Sequence, residues 1–418
     1  MSPGTGSGSG AASGRAEPSG AVRHLYVHLP FCVHRCGYCD FVTVVGRRGE
    51  HGAYVDALLV ELALAGCPDG TPAGAVALAG ADGTPPLDSV FLGGGTPTFT
   101  DAAELARLLR GLPAAAEVTV EANPETVAPE LAAVLRAAGA TRVSLGAQTF
   151  QPRLLEVLER TATPDDVRAS VRHLRAAGFD NVSLDLVYGI PGQSPADLAA
   201  DLAEAVALGP EHLSCYELEA KPGTRFTIAH GEELERQAEA MEGYFETVVE
   251  TLEAAGYRWY ETANFCREGA VAGSGAAAGP GAAPRDLRAH HNLGYWKARD
   301  YLGIGIGAVS TVAGVRWRNT VKLAAYVEAL GRGEAPPRDV EPLDHATRAV
   351  ERIMLGLRLD EPLDLDLGGS GALRAALDAD ALERLDRQGL VELGEGGTLR
   401  LTRRGRFLGG GVTADLLA

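Results

Sequence analysis

The stretch YVHLPFCVHRCGYCDF, residues 26–41, starts with the apolar and β-branched character of a strand and ends in a loop. That loop holds Cys32, Cys36 and Cys39 at spacings of four and three residues. It is long enough to wrap one inorganic cluster, and thiolates are the soft ligands that iron–sulfur clusters need. Three ligands on a four-iron cube leave one iron with an open coordination position, as a catalytic metal site keeps one. The competing reading is a zinc site completed by His34 or Asp40. Zinc knuckles pair one C-x2-C with another, and the chain has no second pair. The other cysteines, Cys67, Cys215 and Cys266, are scattered and read as ordinary buried or loop residues rather than a disulfide framework.

Outward from this loop, β-rich runs alternate with amphipathic Ala- and Leu-rich stretches, the pattern of βα units around a parallel sheet. Strands are predicted at His24–Pro30, Asp88–Gly94, Glu117–Asn123, Thr141–Gln148, Asn181–Gly189 and His212–Glu219. Helices are predicted at Ala53–Ala65, Ala102–Leu112, Pro129–Ala138, Pro164–Ala177 and Pro195–Leu208. Six such units fit a partial or full (βα) barrel, in which function gathers at the strand ends. The run FLGGGTPT ends the second strand, and there Gly93, Gly94 and Gly95 would let backbone approach a ligand closely and offer N–H groups. Glu121 in EANPET, Gln148 in SLGAQTF and Asp185 inside the apolar NVSLDLVYGIPGQ also fall on strands, and a charge among Val and Leu needs a partner or a ligand.

The chain has 418 residues, 46% of them hydrophobic, and a net charge of -17. That length allows two to three domains or one large barrel with an appendage. No apolar run is long enough for a membrane span, and the acidic balance argues against a broad nucleic-acid footprint. Residues 1–20 read as a disordered Gly/Ser leader without the apolar segment of a signal peptide, which places the chain in the cytoplasm. Gly66–Pro86 and Gly269–Pro284 read as flexible inserts. After about Pro336 the pattern becomes helices at Asp344–Leu359 and Leu373–Gln388, then a hairpin at Leu390–Leu401, as in a small helical or winged-helix domain. Its Arg403, Arg404 and Arg406 read as a solvated basic turn.

C-x3-C-x2-C with an aromatic residue, Tyr38, before the last cysteine resembles the signature of the radical SAM superfamily, and the resemblance covers the chain from about His24 onward. It implies an α/β fold, a radical SAM partial (βα)6-type barrel with a C-terminal helical or winged-helix-like domain. It further implies a 4Fe-4S cluster on Cys32, Cys36 and Cys39, with S-adenosylmethionine (SAM) at the open iron. Gly94, Gly95 and Thr96 would then serve the methionine moiety, Glu121, Gln148 and Asp185 the ribose or its neighbours, Arg160 the carboxylate, and Tyr26 would pack beside the cluster.

Within the superfamily the chain is similar to the HemW-like heme chaperones. Oxygen-independent coproporphyrinogen III dehydrogenases, the alternative, carry a further Cys two positions after the third, where this chain has Phe41. The run HNLGYW, residues 291–296, resembles the HN-x2-YW element linked to heme, which makes His291 the implied axial ligand. The chain departs from the branch at Ala162, where a His is usual. Expected partners are heme, a heme-accepting protein and a flavodoxin-type reductant, with no nucleic acid and no stable membrane insertion. An RNA-modifying role is disfavoured by the charge. The expected domains are a barrel core over 21–265, an insert over 266–289, an HN-x2-YW element closing the barrel over 290–335 and a C-terminal domain over 336–418.

Overall fold

The structure is a computed structural model that describes residues 21–65, 78–79, 86–221, 225–268, 285–367, 369 and 371–417. The leader read over 1–20, the insert at 269–284, most of the insert at 66–86 and Cys67 lie outside the described residues.

Strand β1 (His24–Leu29) leads into β2 (Phe31–Cys32), which pairs with β3 (Val44–Val45) and so ties the two ends of the thiol loop together. The chain then alternates through α1 (His51–Ala65), β4 (Leu87–Gly94), α2 (Ala102–Gly111), β5 (Ala115–Ala122), α3 (Pro129–Ala137) and β6 (Arg142–Gln148). It continues through α4 (Pro152–Val157), α5 (Pro164–Ala176), β7 (Val182–Tyr188), α6 (Pro195–Ala207) and β8 (His212–Glu217). Strands β1, β4, β5, β6, β7 and β8 are parallel neighbours in that order, as right-handed helical crossovers dictate. Each of these strands lies within two residues of its predicted bounds.

The two faces of this sheet differ because side chains alternate along a strand. In register across it run Val27, Leu92 and Val120, then Val143 and Val182, and these meet the apolar stripes of the helices in one continuous core. The other face is polar. It carries His24 opposite Ser89, Ser89 opposite Glu117, Glu121 opposite Ser144, and Ser183 opposite His212.

After α7 (Arg225–Ala238) and α8 (Met241–Ala254), β9 (Tyr257–Trp259) and β10 (Asn264–Arg267) extend one edge of the sheet, β10 pairing antiparallel with β8 and β9 antiparallel with β10. Helix α9 (His290–Trp296) then lies on the polar face at the N-terminal ends of the strands, where the His290 N–H donates to Glu117 and the His291 ring meets Ser89. Strands β11 (Tyr301–Ile304), β12 (Val309–Val312), β13 (Val315–Asn319) and, after α10 (Leu323–Gly331), β14 (Arg338–Pro342) extend the other edge from β1, giving a 12-stranded sheet.

The C-terminal part has its own core of Ile353, Leu357, Leu385, Leu399, Val412 and Leu416 among others. It comprises α11 (His345–Gly356), β15 (Leu363–Asp364), α12 (Ala372–Ala375), α13 (Ala379–Arg387), β16 (Val391–Gly394), β17 (Thr398–Leu401), α14 (Arg403–Phe407) and α15 (Gly409–Leu417). The helix expected at Leu373–Gln388 is broken in two, because the Asp378 carboxylate caps the second piece by accepting from the Ala381 N–H at 2.6 Å.

Of the basic turn, Arg403 and Arg404 are exposed as expected and Arg406 is not. Thr402 caps a short helix there, Arg403 pairs with Glu253 at 2.6 Å, and the Arg406 guanidinium stacks 3.6 Å over the Trp259 ring. Arg403 and Arg406 thus contact the barrel, while Arg404 donates to Gln388 O within the C-terminal part. No helix among the described residues is long and apolar enough to cross a membrane.

Candidate functional site

The C-terminal ends of the parallel strands open into a cleft of about 1410 Å³. Cys32, Cys36, Tyr38 and Cys39 line it together with Gly94, Gly95, Thr96, Glu121, Gln148, Arg160 and Asp185, residues drawn from across more than 150 positions of sequence. The thiol loop is held at its base by the Val44 N–H on Pro30 O at 2.8 Å and the Gly46 N–H on Cys32 O at 2.9 Å. At its crest the Cys39 N–H reaches Cys36 O at 3.2 Å, and His34 bonds Glu159 O at 2.6 Å. Tyr38 packs edge-on against Phe226.

Burial pushes the Cys32 and Cys36 thiols above their ordinary range; Thr96, whose hydroxyl donates to Cys32 Sγ at 3.6 Å, and Arg160, 4.0 Å from Cys36 Sγ, act the other way. Such thiols become thiolates on meeting a cation, since coordination deprotonates a thiol outright. Among the described residues no three His, Cys, Asp or Glu side chains converge tightly enough for one ion. Three thiols spread along a loop suit a cluster of several atoms, each sulfur meeting a different iron.

Beside the loop stands a polar rim. Burial and the neighbouring Asp185 push the Glu121 carboxyl up to about 7, while the Gly94 N–H donates to its Oε2 at 3.2 Å. Asp185, likewise raised by burial, accepts from Ser144 Oγ at 3.0 and 3.1 Å. Gln148 adopts φ +65° at a register shift after Gly146, a left-handed conformation that costs energy in a non-glycine residue, and it lines the cleft. Arg160 Nη2 donates to Asn123 Oδ1 and Gly146 O, both at 3.0 Å, while its buried Nε has no partner. Two carboxyls that accept, one amide and one guanidinium with spare donor capacity suit a ligand bearing hydroxyls, an ammonium and a carboxylate, which is the chemistry of SAM.

Three expectations change. The Gly94 and Gly95 N–H groups are already donated, to Glu121 and to Leu29 O at 2.8 Å, so they are not free for a ligand. A Cβ on Gly95 would stand 2.5 Å from the Pro30 carbonyl carbon, and one on Gly94, at φ +108°, 2.4 Å from the His28 ring, so both glycines are needed for packing. Tyr26 is not in the cleft: it bonds His28 Nδ1 at 3.0 Å, stacks on Phe91 and borders a smaller cavity. His291 is not in the cleft either. It is 1% exposed, its Nδ1 bonds Ser89 Oγ at 2.9 Å and its Nε2 bonds Tyr295 Oη at 3.1 Å, which leaves neither nitrogen for an axial bond.

The sequence reading missed Asn123, which stands inside the quoted EANPET run, and the far wall of the cleft, where Phe245, Trp259, Met354, Leu401 and Phe407 meet. Those residues lack a shared local motif, because docking of the C-terminal part brings them together.

A family model described as the radical SAM superfamily matches residues 26–205, and one described as the HemN C-terminal domain matches residues 343–408. The heme chaperone HemW of Mycobacterium tuberculosis is 34% identical over 415 residues, covering 97% of either chain. The heme chaperone HemW of Bacillus subtilis is 31% identical, covering 95% of this chain and 99% of the relative, and that of Escherichia coli is 33% identical, covering 77% and 79%. Among solved structures, the coproporphyrinogen III oxidase HemN of Escherichia coli, described as a radical SAM enzyme, superposes with a TM-score of 0.74 over 96% of this chain and 91% of that one, at 23% identity. That likeness concerns the fold.

Proposed function

The chain belongs to the HemW family of radical SAM proteins, and from that membership we propose that it is a heme chaperone, which binds heme and delivers it to an acceptor protein with the aid of a 4Fe-4S cluster and SAM. The observation that carries the proposal is likeness to named heme chaperones along nearly the whole chain. Phe41, where the dehydrogenase branch carries a further Cys, supports the same choice.

In this reading Cys32, Cys36 and Cys39 hold the cluster as thiolates and leave one iron to SAM. Cluster and SAM together supply one-electron chemistry, for which a flavodoxin-type protein is the proposed electron source. The protein's share is positioning. Arg160 receives the SAM carboxylate with its spare donor capacity. Gln148 and the carboxyls of Glu121 and Asp185 serve the ribose hydroxyls, and the protonated fraction that Glu121 keeps near neutral pH lets it donate as well as accept. Thr96 orients the Cys32 sulfur.

The test is anaerobic reconstitution followed by heme titration and a coproporphyrinogen decarboxylation assay with SAM and a strong reductant. Stoichiometric heme binding without decarboxylation is expected. Sustained decarboxylation would transfer the chain to the dehydrogenase reading.

A further inference from the structure

The cleft is larger than one ligand requires. Small-molecule sites commonly enclose roughly 300–1,000 Å³, against about 1410 Å³ here. Its two ends also differ chemically. One is the polar rim beside the thiol loop. The other is a wall of aromatic and aliphatic groups contributed jointly by α8, β9 and the C-terminal part. There Phe245 stands edge-on to Trp259 at 5.6 Å and to Phe407 at 5.4 Å, with Leu401 and the half-exposed Met354 on the same lining. Such a wall suits a flat apolar molecule.

Arg406 stands in this wall. Its guanidinium stacks on Trp259 and its Nη1 donates to Trp259 O at 2.9 Å, while its buried Nη2 has no hydrogen-bond partner among the described residues. The nearby Arg403 is different, since Glu253 neutralises it at 2.6 Å. A buried guanidinium with an unused donor is costly unless an anion reaches it, and a carboxylate is the geometric match to its fork. Arg406 is among the residues that line the cleft.

We propose that the apolar end of the cleft is the heme seat, with the porphyrin plane against Phe245 and Phe407, which the buried Trp259 backs, and one propionate on Arg406. The proposal rests on the chaperone reading and adds to it a location and an anchoring residue. It puts heme and the thiol loop in one cavity, and it places the seat between the barrel and the C-terminal part.

The experiment uses the full chain, with heme and heme dimethyl ester, in which both propionates are blocked, as probes in absorbance titrations. Wild type should bind heme about tenfold or more tightly than the ester, as loss of a charge-assisted contact implies. Arg406→Gln should bind heme and ester alike, and Arg406→Lys should restore part of the difference. Because Arg406 also docks the C-terminal part, a second variant fills the seat without touching it. A Cβ on Gly410, which lines the cleft, meets nothing within 4 Å, so Gly410→Trp should melt as wild type does and lose heme affinity by about tenfold or more. Wild-type heme affinity in a normally melting Gly410→Trp, or an undiminished preference for heme over its ester in Arg406→Gln, overturns the seat and leaves the chaperone reading standing. Failure of the wild type to bind heme at all overturns both.

Discussion

Cys32, Cys36 and Cys39 are set in a loop whose backbone is held independently of any metal, by the β2–β3 pairing and the bonds at its base. Replacing all three by Ala should therefore abolish iron and sulfide content while the secondary structure, read by circular dichroism, stays near wild type; retention of a full cluster would reject the assignment. Gly95 behaves in the opposite way. Its would-be Cβ meets backbone atoms of Pro30 and Leu29, which cannot step aside as a side-chain tip can. Gly95→Val should lower thermal stability by about 1–3 kcal/mol, as overpacking does, before any effect on SAM is read. A normal melting curve with lost SAM affinity would return this glycine to a ligand role.

His291 is neutral because burial, followed by the charge of a protonated His24, lowers its pKa to about 3. In the unfolded chain a histidine titrates near 6.5, so below that pH the unfolded state binds a proton that the folded state refuses. Stability from this group is complete above pH 6.5 and is lost as pH falls toward 3, by about 1.4 kcal/mol per pH unit within that window. His291→Asn should flatten the fall of melting temperature between pH 6.5 and 4.5 relative to wild type, where an unchanged slope would show that His291 is not held neutral.

At the scale of elements, the helices on the outer face begin where side chains satisfy their first N–H groups. Thr163 with Asp166 starts α5, and Ser194 with Asp197 starts α6, each a reciprocal capping box with Pro in the first turn. Removing the Ser194 hydroxyl should cost about 1 kcal/mol in chemical denaturation with no change in denaturant slope, since only the folded cap is lost. The same logic explains why the C-terminal segment carries the pattern of one helix and folds as two. Leu373–Gln388 keeps helical periodicity through the break, and Asp378 works as a cap only because the chain around it turns. Strand bounds were legible because alternation across a parallel sheet is local, each strand facing helices on one side and the polar interior on the other.

At the scale of the whole molecule, the C-terminal part is joined to the barrel by charge as well as by aromatic stacking. Arg258 meets Asp360 at 2.7 Å, and Arg358 meets the fully buried Glu261 at 2.7 Å while its guanidinium lies 4.3 Å over Trp296. Arg358→Met leaves Glu261 without its cation. Because Arg358 is partly exposed, the cost should stay near 1–3 kcal/mol. Amide hydrogen exchange over residues 343–417 should quicken relative to the parallel strands; uniform quickening would mean that the two parts unfold as one.

Spacing along the chain by itself determined the three thiols that share the loop, the order of βα units and most of the polar rim. Each depends on neighbours within one turn or one strand end, as Cys32 to Cys39 depend on their loop and Glu121 on its strand. Three features depended on tertiary structure: the burial of His291 against Ser89 and Tyr295, the packing that claims Gly94 and Gly95, and the apolar wall where Trp259 meets Phe407 and Arg406. HN-x2-YW reads the same whether its helix faces a cavity or plugs the floor of the sheet. The choice lies in the contacts of α9 with strands some 200 residues earlier in the chain, such as the bond between Ser89 and His291, and no local pattern records a contact of that range.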